Sequence, residues 1–300
     1  MRLLWSQTIP APLRGLILAR ERETILAWDG QDSLFLFNQA GTIQARRPSP
    51  APIAAAGCAE DGSAYVVATG GTGVSPVGGA MIYWLAPDLT PRWQRHLRQR
   101  ATAVAMEPLG RRVAVADAGG TLHLMDARGR TLWKATTPRP LYHLAFVPEK
   151  PVLIGAADFG LVLCFGASGE CLWRDGLVAH VGSLAVSGDG SCVLLACFSD
   201  GLYCYNTDGP QQQRIPLESP CRFAALSYAG DHLLTADRPQ RLCLRDNKGD
   251  IYERINLDGP VAAVALSVLA DFAVVGLANG AILRFDQRPA HAEGGGDLLK

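Results

Sequence analysis

Six histidines and eight cysteines are the side chains here best suited to hold a metal or attack a substrate, and their spacing argues against both roles. The histidines stand at 96, 123, 143, 180, 232 and 291, without an HExxH run or the Cys–His spacing that zinc requires. His123 lies inside an apolar stretch and reads as a packed, hydrogen-bonded residue rather than a ligand. No DxDxDG run offers calcium a set of oxygen ligands. The cysteines form no CxxC pair. Cys164, Cys204 and Cys243 fall in strand-like segments, where a thiol behaves as a small hydrophobe. No GxSxG elbow presents a serine, and Ser187-Gly188-Asp189-Gly190 reads as a β-turn. Gly70-Gly71-Thr72-Gly73 is glycine-rich, but neither a lysine nor a helix follows it, so it fails as a phosphate cradle. These patterns lead us to expect no catalytic residue, no metal and no cofactor.

One charged stretch remains. Arg92-Trp93-Gln94-Arg95-His96-Leu97-Arg98-Gln99-Arg100 carries four arginines and a histidine with no acid among them. Guanidinium groups suit two-pronged capture of a carboxylate or phosphate. Arg95, His96, Arg98 and Arg100, with Thr72, Val74, Ser75 and Val77 of the glycine-rich segment 70–79, form a candidate partner-binding set. The competing reading is a solvated outer strand whose charge discourages edge pairing. A second set is Asp29, Asp117, Asp158, Asp200 and Asp237, which recur before glycine-containing or polar turns. Asp is favoured in turns by its own side-chain hydrogen bonds, and that is the first reading of these residues.

The elements that must position these residues come from a repeat. Thr121-Leu122-His123-Leu124-Met125-Asp126, with Gly129 and Leu132-Trp133, returns forty residues later as Leu161-Val162-Leu163-Cys164-Phe165, Gly169 and Leu172-Trp173. Further steps reach 202–206, 242–246 and 282–286. Short strands and turn signals at this period predict a β-propeller of four-stranded blades. Blade three, for example, reads as strands over 101–106, 112–117, 122–126 and around 132–133. Glycines at 41, 129, 169, 209 and 249 mark one recurring hairpin that needs positive φ. An eight-residue excess falls in 70–79, between the second and third strands of blade two. Removing it brings Leu34 to Asn38 into frame. The loop after Arg98 and this insertion open on the same face, because strands within a blade alternate in direction.

The seventh unit lacks a fourth strand, and Leu4-Trp5 falls where the frame needs one. The first residues therefore complete the last blade, protecting edges otherwise exposed. Burial of Leu3, Leu4 and Trp5 is expected to contribute on the order of several kcal/mol. The predicted first strands, such as Ala101-Thr102-Ala103-Val104-Ala105 and Val261-Ala262-Ala263-Val264-Ala265, would line the axis with small residues. His143 and Arg222 are the main polar exceptions. Converging acids, bases and donors of a reaction pocket are missing from these segments.

Net charge is zero, which gives no general attraction to nucleic acid or anionic membrane. No apolar run reaches the roughly 18 residues of a membrane helix. The first residues show no signal-peptide pattern, so free thiols in a reducing cytoplasm are expected.

Two families of repeat are similar. His180-Val181-Gly182-Ser183-Leu184-Ala185-Val186-Ser187-Gly188-Asp189-Gly190 resembles the opening of a WD repeat, and Asp126, Asp246 and Asp286 match the Asp that ends its third strand. The usual Trp before that Asp is replaced by residues such as Met125 and Phe285. Asp126 through Gly129 to Leu132-Trp133, and Gly169 through Leu172-Trp173, resemble quinoprotein-type repeats. That resemblance implies that the Trp docks one blade onto the next.

The resulting expectation is an all-β, seven-bladed β-propeller, a single domain over 1–288 with blade seven completed by 1–11, and a flexible tail over 289–300. Its expected function is that of a non-catalytic scaffold for another protein, without nucleic acid or membrane, in the cytoplasm and of open oligomeric state. The alternative is a quinoprotein-like ligand binder or enzyme with a site at the channel mouth.

Overall fold

The computed structural model describes residues 1–70, 79–210, 212–238 and 240–287. Within these, the chain forms seven antiparallel sheets of four strands, each built from consecutive strands except the last. Blade one comprises Leu13–Ala19, Thr24–Asp29, Ser33–Phe37 and Ile43–Pro48. Blades two to six follow at 53–97, 101–136, 141–176, 181–215 and 221–256. Blade seven takes Val261–Leu266, Phe272–Leu277 and Ala281–Asp286, then returns to Arg2–Thr8 for its outer strand. Arg2 pairs with Asp286 and Thr8 with Ala281, so the two ends of the chain close the ring. The protein is a seven-bladed β-propeller.

The middle strands of each blade are continuously apolar because neighbouring blades cover both their faces. Thr24–Asp29, Ser33–Phe37 and Phe272–Leu277 are buried at every position. The outer strands alternate between half-buried and exposed, as in Thr131–Thr136. Burial of the closing strand differs from the expectation. Leu3 and Leu4 are 47% and 56% exposed. They lie on an outer strand with no further blade against it, and a bulge between Leu3 and Trp5 breaks the alternation. Trp5 alone turns toward blade one.

Four tryptophans join blades in the same way. The indole N–H groups of Trp5, Trp93, Trp133 and Trp173 donate to the carbonyls of Gln39, Ala127, Ala167 and Thr207, each 34 residues on and in the next blade, at 2.8–3.0 Å. For Trp5, Trp93 and Trp133 the ring lies on the turn glycine; Gly209, in the turn that receives Trp173, has neither a ring against it nor the positive φ expected of it. A Cβ on Gly41 would stand 2.8 Å from the Trp5 ring, and one on Gly169 2.7 Å from the Trp133 ring. Glycine is needed there for space as much as for its φ of +78° or +88°.

Each innermost strand carries a register shift at its second residue: Arg14, Ala54, Thr102, Tyr142, Gly182, Arg222 and Ala262. A bulge leaves one residue unpaired and re-aims its side chain. Here it does so seven times at one end of the axis.

Candidate functional site

The turns between second and third strands share one face with the loops between blades. The pairing is explicit: Gly30 N–H donates to Pro12 O, Ala118 to Arg100 O, Phe198 to His180 O, Arg238 to Pro220 O and Ala278 to Pro260 O. The bulged residues stand at the centre of this face. Most are small, but Arg14, Tyr142 and Arg222 are exposed around the entrance to the axis.

Around blades four to six the same face becomes apolar and aromatic. Phe159 sits in a short turn over Asp158–Gly160 with φ 57° and ψ 32°, and its side chain is 61% exposed. An aromatic residue in the left-handed region is uncommon and carries a conformational cost. Its ring lies 4.5 Å from that of His180. Val178, in the adjoining loop, is fully exposed, and together with Phe159 and His180 it borders a broad depression. Beside it, Phe198, Arg222, Phe223, Asp237 and Arg238 line a cavity of about 380 Å³. The Arg222 guanidinium lies 5.2 Å over Phe223, and that of Arg238 lies 5.0 Å over Phe198. At the base, Asp237 is buried and paired with Arg245 at 2.5 Å.

Of the five recurring aspartates only Asp158 is exposed, and Asp200 is half-buried. Asp29 Oδ1 accepts from Gln31 and Ser33 N–H, and Asp117 Oδ1 accepts from Gly119 and Thr121 N–H. Asp29, Asp117 and Asp237 are all buried. Asp117 Oδ2 meets His123 Nε2 at 2.9 Å, a contact within the blade.

At the edge of blade two, Ala80 N–H donates to Gln99 O at 3.1 Å and pairs with Leu97, so the end of the segment 70–79 lies beside Arg98. His96, Arg98 and Arg100 are exposed. Arg95 is turned inward and donates to Gly129 O, tying blade two to blade three. Thr72, Val74, Ser75 and Val77 lie outside the described residues, as does the tail from 289 onward. His96, Arg98 and Arg100 are thus exposed along the edge of blade two, while Arg95 makes an interblade contact.

The axis holds a cavity of about 300 Å³ lined by segments such as 56–58, 104–106, 144–146 and 264–266. Gly57, Ala105, Ala145, Ala185, Ala225 and Ala265 stand at equivalent positions around it. At its far mouth Arg20 and Glu60 neutralise each other at 2.6 Å. Burial pushes the Cys58 thiol far up, and that of Cys197 to about 12, so neither is a ready thiolate. Burial lowers the pKa of His143, whose Nε2 lies 3.3 Å from Val181 O. All eight cysteines are free. Among the described residues no helix is long and apolar enough to cross a membrane, and no group of three acidic, His or Cys side chains converges as a metal site.

The aromatic cluster was accessible to sequence reasoning only in part. Phe159 occupies a turn position held by Gly119, Ser199 and Asn279 in other blades, and Val178 a loop position held by Arg98, Glu218 and Asp258 or by proline (Pro10, Pro50 and Pro138). A large apolar side chain at positions otherwise held by polar residues, glycine or proline was the available signal. Arg222 was legible as a polar exception in its axis-lining segment, whereas the position of Arg14 and Tyr142 at the entrance had no signal, because it depends on the bulges. The chain matches no protein-family model and no curated protein, so its architecture rests on its own strand pairing.

Proposed function

We propose that this propeller is a non-catalytic scaffold that binds another protein through the face carrying the interblade loops, chiefly over blades four to six. One observation carries the reading. Phe159 is held outward at 61% exposure in a left-handed turn, against His180 and beside Val178. Exposed aromatic and arginine side chains around a shallow cavity are the composition of interface centres. Isolated apolar residues on a surface carry no message, but a contiguous cluster on one face does. The small residues of the axis support a structural rather than a chemical use of the hub. The docking tryptophans support the likeness to quinoprotein-type repeats at the level of blade construction. Free thiols support residence in a reducing compartment, the cytoplasm.

The test is an affinity purification from the native source with Phe159→Ser plus Arg222→Glu, using circular dichroism to show that the fold is kept. A partner captured by the wild type and lost by this variant supports the reading. A partner retained there but lost on Arg98→Glu plus Arg100→Glu overturns it in favour of the blade-two edge.

A further inference from the structure

The turn between the second and third strands of blade six leaves the repeat at three consecutive positions. The other six blades carry Gly30, Gly70, Ala118, Asp158, Phe198 and Ala278 where blade six carries Arg238. Residue 239 is a proline, which has no N–H to donate. Gln240 takes φ 57° where Gly120, Gly160 and Gly280 make the same left-handed turn in blades three, four and seven. A side chain is kept there at a conformational cost, and it lines the same cavity as Arg238.

The proline changes the surroundings of Asp237. Asp29 and Asp117, its equivalents, accept from the N–H groups two and four residues on. The first of those donors does not exist in blade six. Asp237 is 5% exposed and its Oδ2 meets Arg245, but its Oδ1 accepts no hydrogen bond among the described residues. The Cys243 thiol lies near the same carboxylate without meeting Oδ1 in hydrogen-bonding geometry. A buried acceptor left without a donor is uncommon and costly.

Asp237 is part of the wall of the 380 Å³ cavity, together with Arg222 and Arg238. Each guanidinium rests on an aromatic face, Arg222 on Phe223 and Arg238 on Phe198, and neither donates a hydrogen bond or joins an ion pair among the described residues. A guanidinium stacked in this way keeps its N–H edge free for a carboxylate. Asp237 is already neutralised by Arg245, so the two positive charges are not offset within the cavity. The neighbouring depression is apolar. Phe198 lines the cavity while Ser199 and Asp200 line the depression under Phe159 and Val178, so the two adjoin.

We propose that this cavity receives the carboxylate of an aspartate or glutamate side chain on an extended segment of a partner protein. Arg222 and Arg238 hold the carboxylate, a donor of the same segment serves Asp237, and a nearby apolar side chain of the segment covers Phe159 and Val178. The unmet acceptor and the adjoining apolar depression fit a polypeptide, whereas a simple inorganic anion uses only the two guanidinium groups. The inference rests on the loop face being the binding face and adds the chemistry of its partner.

The test measures fluorescence anisotropy of labelled, end-blocked peptides on the full chain. Each peptide carries one glutamate and one leucine, with alanine spacers of differing length. Saturable binding is expected for at least one spacing. Replacing the glutamate by glutamine should weaken it about tenfold, and so should Arg238→Gln in the folded protein. Arg222→Gln should act alike and serves if the first variant does not fold, while Phe159→Ser should cause a smaller loss. No saturable binding at any spacing, equal binding of the glutamine peptide, unchanged binding in a folded arginine variant, or displacement by inorganic phosphate as effective as by unlabelled peptide would each overturn the inference. The loop face itself survives those results if a native partner is still lost on Phe159→Ser plus Arg222→Glu, whereas a partner retained by that variant removes both readings.

Discussion

Replacing Trp173 tests whether the indole wedge holds adjacent blades together. Trp173 is 9% exposed, its ring stacks on Tyr205 at 5.9 Å and 11°, and its N–H donates to Thr207 O at 3.0 Å. Trp173→Ala removes all three contributions and leaves a cavity at the joint. Large aromatic-to-alanine changes at such sites cost about 3–5 kcal/mol. Against a total stability of about 5–15 kcal/mol, this is a major share. Trp173→Phe separates the terms. It keeps most of the ring and loses the donor, at a cost of about 1–2 kcal/mol including the stranded carbonyl. The gap between the two variants is therefore the wedge itself, about 2–3 kcal/mol. Urea unfolding followed by circular dichroism gives both values, provided that the slope with denaturant is unchanged. The reasoning fails if Trp173→Ala lies within about 0.5 kcal/mol of the wild type. It also fails if Trp173→Phe is as damaging as Trp173→Ala, because the hydrogen bond and not the ring would then carry the joint.

Three other outcomes are expected. Arg245→Ala leaves the buried Asp237 carboxylate without its cation and should cost about 3–5 kcal/mol, whereas Asp237→Asn combined with Arg245→Met should recover much of that loss in a urea melt. His143 has its pKa lowered by burial, so the unfolded chain binds more protons; its contribution is whole above about 6.5 and is lost as pH falls through the folded value. Melting temperatures between pH 7.5 and 5 should fall less steeply in His143→Gln, and identical slopes would exclude His143 as a source. Deleting residues 1–8 removes a strand with six paired residues and the buried Met1, and should yield aggregated protein on size exclusion; a soluble monomer with a single sharp transition would refute closure by the amino terminus.

The repeat made blade number, strand order and closure readable because each signal recurs and errors in one blade are corrected by the next. Leu132-Trp133 and Gly169 fix a frame that Trp5 and Gly41 then obey across the ends of the chain. What the frame cannot show is any departure of one blade from the others. Leu89 takes φ 64° in place of a turn glycine and is buried in the core beside Ala45, but in sequence it is one more apolar residue near a turn. The candidate loop face was hidden for a related reason. Alternation assigns Arg14, Tyr142 and Arg222 to a side of the innermost strand, and a single extra residue in each strand cancels that assignment.

The exposed Leu3 and Leu4 teach the same point about the rim. Leu132, Leu172 and Tyr252 are about half exposed on other outer strands, so the rim is not kept soluble by hiding apolar residues. Arg46, Lys134, Arg174, Arg214 and Arg254 occupy one register position, two residues along from these apolar side chains, and all five are exposed. A cation repeated along free strand edges opposes pairing with another edge. In blade two Gln94 stands at that position, and the exposed basic side chains of the edge, Arg92 and His96, flank it two residues to either side while Arg95 is clamped to Gly129.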